Sequence, residues 1–327
     1  MKVLSTFNGI SCGRVALERT RIEVERYVSF EIDKFANQIA KKNYPNDEYY
    51  GNVFEADFKQ YKGFDLLIGG SPCTYWSIAK QGRETTSEGV GFDLFKQYVR
   101  ALEESGCKYF LYENNYSIHQ NIKEEISRYL GVRPIMINSA LVSAQNRKRC
   151  YWTNIPEVQQ PMDQGILLDS ILENEVDDRY FIDTEKTIHI CDLEATKGKI
   201  AYIGRDSQGC RVYSIHGKSV TIAAQGGGWG AKTGLYFFPC ITPGRINKRQ
   251  NGQRFKDNNA KFYTLTTQDV HGVLTNGYIR RLTPLECERL QTLPDNYTEG
   301  ISEAQRYKGI GNGWTVDVIA HILSYLK

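Results

Sequence analysis

The sequence predicts an α/β protein built on a mostly parallel sheet with helices on both faces, joined to a smaller domain of strands and loops. Strand and helix signals alternate up to about residue 155, and the first apolar run stops at the turn residues Asn8 and Gly9. Such alternation is typical of parallel sheets. Helical periodicity then fades, short strand-like pieces follow, and helical patterns return near the C-terminus.

The elements of the first part follow from the spacing of apolar residues. Short apolar runs predict strands, and apolar residues spaced three or four apart predict helices. Asn43 and Pro45 close the second helix. The predicted strands are residues 3–7, 27–30, 64–68, 109–112 and 135–142, and the predicted helices are residues 14–19, 34–42, 92–104 and 122–130.

The second part begins at about Glu157, where strand signals replace helical ones. The predicted strands are residues 202–204, 212–215, 235–238, 262–266 and 272–274. Predicted helices at residues 284–290 and 315–326 indicate that the chain returns to pack on the first domain. We therefore expect one domain formed by residues 1–156 and 300–327, and a smaller one formed by residues 157–299.

Composition excludes several classes of protein. The chain has 327 residues and a net charge of +3. No apolar run approaches the roughly 18–20 residues that span a bilayer, and the N-terminus is typical of a strand and not of a signal peptide. The eight cysteines are scattered without a CxxC pair, which argues against a zinc site. We expect no metal, no membrane contact and reduced thiols in a cytoplasm.

Two features at the start of the chain are compatible with a nucleotide-like ligand. Residues 7–13 (Phe-Asn-Gly-Ile-Ser-Cys-Gly) link the first strand to a helix, where glycines allow close approach of a ligand to the backbone. Glu31 ends the next strand, where a carboxylate can accept hydrogen bonds from ribose hydroxyls. A plain turn and an ordinary surface acid remain the alternatives.

Chemically reactive groups follow three later strands. Cys73 comes after Gly-Gly-Ser-Pro at the end of the third strand, where a thiolate would be a nucleophile, although a small packed side chain is the alternative. Glu113 ends the next strand and could exchange a proton with a substrate nitrogen, or serve only as a cap or surface acid. Arg147 and Arg149 point to one side if their segment is extended, which suits anion or carbonyl recognition, or else they form a solvated basic turn.

Six short motifs follow one another along the chain, at residues 7–13, 70–73, 113–115, 145–149, 281–287 and 311–312. In this order they resemble the motifs of DNA cytosine-5 methyltransferases of the bacterial and bacteriophage type. The resemblance spans nearly the whole chain apart from its middle. It implies an S-adenosylmethionine-dependent methyltransferase fold of Rossmann-like type, with the smaller domain serving target recognition.

The resemblance also implies a mechanism and a set of site residues. Cys73 would add to C6 of a cytosine flipped out of duplex DNA, and C5 would then take a methyl group from S-adenosylmethionine. Glu113 would hydrogen-bond N3 and the exocyclic amine, and Arg149, with Arg147, would hold the O2 edge and the adjoining loop. The implied cofactor contacts are Phe7, Gly9, Gly13, Glu31, Ile32, Asn52, Leu94 and Asn312.

Three positions depart from the family pattern. Asn115 stands where Val is usual and is expected to tune the site without abolishing it. Asn52 stands where an acid would read the adenine amino group, and an Asn carbonyl can accept the same bond. Gly313 replaces a usual Ser and alters the local contacts of the cofactor segment.

A basic stretch at residues 245–261 predicts phosphate contacts, with a solvated face as the alternative. We expect double-stranded DNA as the partner of a monomeric protein in the cytoplasm of a bacterial host cell. The residues expected to bind DNA are Arg245, Lys248, Arg249 and Arg254.

Three other functions compete with this interpretation. A tRNA cytosine-5 methyltransferase would share the fold, but the Cys-Phe-Thr pattern of that subfamily is absent from the recognition region. A catalytically inactive DNA-binding module would not need Cys73, Glu113 and Arg149. A nicotinamide oxidoreductase would be expected to carry the GxGxxG motif, which this sequence lacks at its first turn.

Overall fold

The computed structural model describes residues 1–77, 81–182, 188–191, 198–224, 233–239 and 277–326. The strands are β1 (Lys2–Thr6), β2 (Arg26–Phe30), β3 (Glu48–Tyr50), β4 (Leu66–Gly69), β5 (Tyr109–Asn115), β6 (Ile135–Asn138), β7 (Lys148–Thr153), β8 (Ile188–Ile190), β9 (Lys199–Ile203), β10 (Arg211–Ser214), β11 (Leu235–Pro239) and β12 (Gly277–Arg280). The helices are α1 (Cys12–Arg19), α2 (Lys34–Asn43), α3 (Val90–Ser105), α4 (Gln120–Leu130), α5 (Pro284–Leu290), α6 (Glu303–Asn312) and α7 (Val316–Leu323).

Seven strands form the larger sheet, in the order β3-β2-β1-β4-β5-β7-β6. Strands β3, β2, β1, β4 and β5 pair in parallel, and β7 runs antiparallel to both of its neighbours. The prediction of an α/β fold with a mostly parallel sheet is confirmed. Strand β1 lies between β2 and β4, so the loops that leave these strands meet at one edge.

Alternate residues of the central strands bury their side chains in two separate cores. Leu66 and Ile68 belong to the core that includes α1 and α7, whereas Leu67 belongs to the core that includes α3 and α4. This follows from the two-residue period of a strand, which sends successive side chains to opposite faces. The helices therefore cover both faces of the sheet, as predicted.

Local sequence fixes where the helices begin and end. Asp33 caps α2 by accepting hydrogen bonds from the N–H groups of Phe35 and Ala36. Gly106 ends α3 in the left-handed conformation, with φ of 62°. Thr283 and Glu286 form a reciprocal capping box at the start of α5.

Five strands form the smaller sheet, in the order β12-β11-β10-β9-β8. A buried cluster that includes Tyr236 of β11, Leu290 of α5 and Ile310 of α6 joins this sheet to the C-terminal helices. The buried Arg280 at the end of β12 makes a bidentate ion pair with the buried Glu286, at 2.7 and 2.8 Å. This pair fixes the end of the smaller sheet to the start of α5.

The structure differs from the predicted elements at several points. Strand β5 continues through Glu113 to Asn115, so these residues lie within the strand and not after it. The predicted strand 135–142 stops at Asn138, and a separate strand, β7, follows the turn. A helix that the sequence does not predict, α6, spans Glu303–Asn312 and ends with the motif residues 311–312. The predicted strands at 262–266 and 272–274 lie outside the described residues.

Candidate active site

A cleft of about 1450 Å³ lies at the edge of the sheet where β1, β2 and β4 end and where the last residues of β5 lie. Ligands of open parallel sheets bind beyond the carboxyl ends of the strands. The end of α6, the turn after it and residues 221–224 form the other wall. Strands β1 and β4 separate β2 from β5, which places the groups after β2 roughly 14 Å from those on β5, at about 4.8 Å per strand. The cleft therefore has two ends.

Cys73 lies at the β5 end of the cleft, at the start of a short 3₁₀ turn (Cys73–Tyr75) that follows Pro72. Burial raises the pKa of its thiol, the Arg149 guanidinium opposes this rise, and Glu113 adds to it. The loop that carries Cys73 is held by Asn114, whose amide donates to the Ser71 carbonyl at 3.1 Å. This hydrogen bond restrains the loop before Cys73. The positive charge of Arg149 partly offsets the rise in the thiol pKa and so favours the thiolate.

Glu113 is nearly buried on β5 and both of its oxygens are engaged. Its Oε1 lies 2.9 Å from Nε of Arg149, which reaches it from the antiparallel strand β7. Its Oε2 accepts a hydrogen bond of 2.9 Å from the indole Nε1 of Trp314. Asn115 lies beside the pair, since Nη1 of Arg149 is 3.4 Å from its Oδ1. The sequence predicted that Cys73, Glu113 and Arg149 lie near one another, and the structure places all three in this cleft.

Arg147 lines the same cleft, but its guanidinium is hydrogen-bonded to main-chain carbonyl groups. It donates to the carbonyl oxygens of Ile222, Gly311 and Gly313 at 3.2, 3.0 and 2.9 Å. Burial and the nearby positive charge of Arg149 lower the pKa of Arg147 to about 10. Three of its donors therefore connect the wall at residues 221–224 to the turn after α6.

Backbone conformation shapes the β2 end of the cleft. Phe7, Gly9 and Ser11 have φ of 54°, 56° and 65°, a region that residues other than glycine rarely adopt. The Gly9 N–H donates to Oε2 of Glu31 at 2.8 Å, and the Asp33 N–H donates to Oε1 at 2.8 Å. Burial raises the pKa of Glu31, and these N–H groups oppose that rise. The loop after β1 is thereby fixed against the carboxylate after β2.

The remaining residues predicted to contact the cofactor lie in different places. Gly13 is buried in the first turn of α1, where the Cδ1 of Ile68 occupies the space of a side chain. Ile32 is 78% exposed and lines a shallow depression of about 670 Å³ beside Glu31. Asn312 is exposed and lines the main cleft.

Asn52 and Leu94 line neither the main cleft nor the shallow depression. The Oδ1 of Asn52 accepts a hydrogen bond from the Phe54 N–H at 3.1 Å, which caps a short 3₁₀ helix (Val53–Glu55). Leu94 is partly buried on α3.

Several groups in the cleft were not predicted from the sequence. Trp314 follows the last motif, and nothing in its immediate neighbours signals a contact with Glu113. Residues 221–224 (Thr-Ile-Ala-Ala) have no motif that could have placed them in the wall. Lys308 lines the cleft and makes an ion pair of 2.5 Å with Asp33.

A basic and aromatic cluster lies at the rim of the β5 end. The exposed Tyr116 lines the cleft, and the Nζ atoms of Lys123 and Lys148 lie 4.4 and 5.9 Å from the centroid of its ring. Cations and an aromatic ring at a cleft rim suit the phosphates and bases of a nucleic acid. The predicted DNA-binding residues lie outside the described residues; they are Arg245, Lys248, Arg249 and Arg254.

Two further observations concern the described parts of the chain only. No helix among them combines the length and apolar character needed to cross a membrane. Three or more His, Cys, Asp or Glu side chains are nowhere grouped there as metal ligands would be.

Comparisons with known proteins identify the family of the chain. A family model described as C-5 cytosine-specific DNA methylase matches residues 1–327. An orphan methyltransferase of Bacillus phage SPR is 30% identical over 429 aligned positions, which cover 100% of this chain and 97% of that protein. An orphan methyltransferase of Bacillus phage SPbeta is 28% identical, with 100% and 97% covered.

Solved structures show the same fold. A methyltransferase of Entamoeba histolytica superposes with a TM-score of 0.66 at 17% identity, covering 100% of this chain and 97% of that one. A DNMT2 variant of Spodoptera frugiperda gives a TM-score of 0.66 at 16% identity, with 99% of both chains covered. The family model and the phage relatives carry the assignment further than the fold: the chain belongs to the C-5 cytosine-specific DNA methyltransferases.

Proposed function

We propose that the cleft binds S-adenosylmethionine at the β2 end and a cytosine flipped out of duplex DNA at the β5 end, where Cys73 is the nucleophile. The observation that carries this proposal is the convergence of Cys73, Glu113 and Arg149, from β4, β5 and β7, on one cleft. A thiol beside a guanidinium and a fixed carboxylate matches what addition to a pyrimidine requires.

The β2 end fits the proposed cofactor. The Glu31 carboxylate can accept hydrogen bonds from ribose hydroxyls in addition to those from Gly9 and Asp33. Ile32 offers an exposed apolar surface for an adenine ring in the depression beside Glu31. When bound, S-adenosylmethionine supplies an electrophilic methyl group. We assign the contacts to Phe7, Gly9, Gly13, Glu31, Ile32 and Asn312, with Asn52 and Leu94 as more distant candidates.

The β5 end of the cleft activates the flipped cytosine. The Cys73 thiolate forms a bond to C6, and the electron pair of the C5–C6 double bond becomes available at C5. Glu113 donates a proton to N3 through one oxygen and accepts a hydrogen bond from the exocyclic amine through the other, which stabilises the charge that develops on the ring. Arg149 holds the carboxylate and the O2 edge, and Arg147 holds the two walls together. Once C5 carries the transferred methyl group, a general base removes the C5 proton. The C6–S bond then breaks, and the thiolate is regenerated.

The two sheets have separate tasks in this proposal. Residues 1–156 and 300–327 carry the chemistry, and residues 157–299 recognise the target sequence. A stacked base cannot reach Cys73, so the cytosine leaves the duplex at a cost of a few kcal/mol. Tyr116, Lys123 and Lys148 contact the DNA at the rim, and Arg245, Lys248, Arg249 and Arg254 hold its phosphates. The relatives in Bacillus phages support a role in the cytoplasm of a bacterial host cell.

Bisulfite sequencing of plasmid DNA from cells that express the protein tests this proposal. We expect C5 methylation at one short sequence with the wild type, and a fall on the order of 10⁴-fold or more with Cys73→Ser, because serine is a far weaker nucleophile. Cys210→Ser is the matched control, since Cys210 is also a partly buried free thiol but does not line the cleft.

Either of two results would contradict the proposal. Full methylation by Cys73→Ser would remove Cys73 as the nucleophile. Methylated cytosine in cellular RNA, with none in plasmid DNA, would show that the substrate is RNA and not duplex DNA.

A further inference from the structure

We propose that Trp314 is a positioning residue that fixes the carboxylate of Glu113 in the orientation needed to meet the flipped cytosine. The inference rests on the proposed role of Glu113. It assigns a function to a side chain that has no place in the mechanism derived above.

Two hydrogen bonds restrain the two oxygens of Glu113 separately. The Trp314 indole N–H donates to Oε2 at 2.9 Å, and Nε of Arg149 lies 2.9 Å from Oε1. A carboxylate held at one oxygen can still rotate about its terminal bond, whereas one held at both cannot. Glu113 is 9% exposed, so few water molecules can reach it to replace a lost donor. Trp314 therefore completes the restraint that Arg149 begins.

Two glycines lie directly against the indole ring of Trp314. A Cβ atom on Gly13 would lie 3.4 Å from Cζ3 of Trp314, and one on Gly70 would lie 3.4 Å from its Nε1. A Cβ on Gly70 would also lie 3.0 Å from Oε2 of Glu113. The first turn of α1 and the loop after β4 thus both lie against the indole, whose N–H is beside the carboxylate.

The main chain of the turn that carries Gly313 and Trp314 also contacts distant segments. Burial raises the pKa of the Cys12 thiol, and the main-chain N–H of Trp314 opposes this rise. A Cβ on Gly313 would lie 3.0 Å from the Cys12 sulfur, which is closer than side-chain carbons normally come. The Gly313 carbonyl accepts from Arg147 at 2.9 Å. The glycine at 313, where the family usually has Ser, lets the turn pack on Cys12 and brings Trp314 to Glu113.

The consequence concerns the rate of base activation and not cofactor binding. A carboxylate already oriented before the base arrives needs no reorganisation as charge develops on the ring. Hydrogen bonds to charged groups contribute enough that losing one slows the step by about 10- to 100-fold.

Trp314→Phe tests this directly, because it keeps an aromatic ring and removes the N–H. Trp152→Phe is the matched control, since its buried indole donates to Oγ of Ser127 at 2.9 Å and lies outside the cleft lining. Three quantities are measured: the single-turnover rate of methyl transfer, the rate of covalent trapping on a duplex containing 5-fluorocytosine, and the Kd for S-adenosylmethionine. We expect Trp314→Phe to slow both rates about 10- to 100-fold and change Kd by less than about threefold. The control should change all three by less than about threefold.

A double-mutant cycle separates positioning from an independent effect. Glu113→Gln alone is expected to lose most of the activity. Adding Trp314→Phe to it should cause little further loss, because the restrained carboxylate is already gone. Fully additive losses would overturn the inference. So would a loss of cofactor affinity as large as the loss of rate, since Trp314 would then be only a wall of the cofactor site.

Nuclear magnetic resonance of the indole N–H groups supplies a test that leaves Trp314 in place. In Glu113→Gln, the Trp314 indole resonance should shift because its acceptor changes from a carboxylate to an amide, while that of Trp152 should not. An unshifted Trp314 resonance would overturn the inference. Full activity of Glu113→Gln would instead overturn the proposed function of Glu113, whereas an inactive Glu113→Gln with a fully active Trp314→Phe would sink only the role of Trp314.

Discussion

The two ends of the cleft are built by different means. At the β5 end, Glu113 and Arg149 form a buried ion pair beside Cys73, and the order comes from charged side chains. At the β2 end, the order comes from the backbone, since Phe7 and Ser11 adopt positive φ and the Gly9 N–H meets Glu31. Changes at the β5 end should therefore act on the rate of reaction, and changes at the β2 end should act on the affinity for the cofactor.

The largest effect is expected at the β5 end, for Arg149→Met. Removing one member of a buried ion pair leaves the Glu113 carboxylate without its cationic partner, which typically costs about 3–5 kcal/mol of stability. We expect the single-turnover rate to fall about 10²- to 10³-fold, with the Kd for S-adenosylmethionine nearly unchanged. A loss of cofactor affinity as large as the loss of rate would contradict the assignment of the β5 end to the chemical step.

The pH dependence of Arg149→Met provides a second test of the same ion pair. Burial raises the pKa of the Cys73 thiol, and Arg149 is the strongest influence that opposes it. The thiolate fraction, and with it the rate of adduct formation, therefore rises with pH in the wild type. Arg149→Met should move this rise to higher pH, and Arg149→Lys should move it less because a positive charge remains. Trapping rates on 5-fluorocytosine DNA across a pH series measure the shift.

At the β2 end, Glu31→Gln is expected to have a smaller effect and a different one. Loss of a charged acceptor for the ribose, and of one acceptor for Gly9 or Asp33, should raise the Kd for S-adenosylmethionine about 10-fold. Isothermal titration gives the Kd, and the single-turnover rate at saturating cofactor should stay within about twofold. A variant with unchanged Kd and a reduced rate would show that Glu31 serves the chemistry and not the cofactor.

Glu31 also predicts a dependence of cofactor affinity on pH. Burial raises the pKa of this carboxyl, so it gains a proton at a higher pH than an exposed glutamate would. Wild-type affinity should therefore weaken as pH falls through that raised value, whereas Glu31→Gln should show a flat profile.

The smallest effect is expected for Asn52→Ala. Its Oδ1 caps the short helix at Phe54, and the second lone pair of that oxygen remains available to an adenine amino group. We expect the Kd for S-adenosylmethionine to rise about threefold and the free energy of unfolding to fall by about 0.5–1 kcal/mol. An effect on Kd larger than that of Glu31→Gln would place the adenine nearer to Asn52 than the cleft lining indicates.

Local sequence was sufficient to predict most of the larger sheet. The short apolar runs at β1 and β4 stop at turn residues, and the motif residues Cys73 and Glu113 lie at the same sheet edge, as expected for parallel strands. Strand β7 was missed, because the antiparallel insertion of a strand between β5 and β6 depends on long-range pairing and not on apolar spacing.

The parts of the site that could not be predicted all depend on contacts between distant segments. Arg147 was expected to face a substrate beside Arg149, yet its donors reach Gly311 and Gly313, which are more than 160 positions away. Trp314 and Glu113 are 201 positions apart. No local pattern encodes such contacts, so only the folded chain shows them.

The path of the chain makes the cleft depend on segments that lie far apart in the sequence. Helix α1 packs on α7, where Arg19 and Asp317 form an ion pair of 2.5 Å. Asn312 and Trp314, which line the cleft, come directly before α7. Local opening of α7 would therefore remove one wall of the cleft, so the stability of this short helix sets the fraction of molecules that hold a complete site.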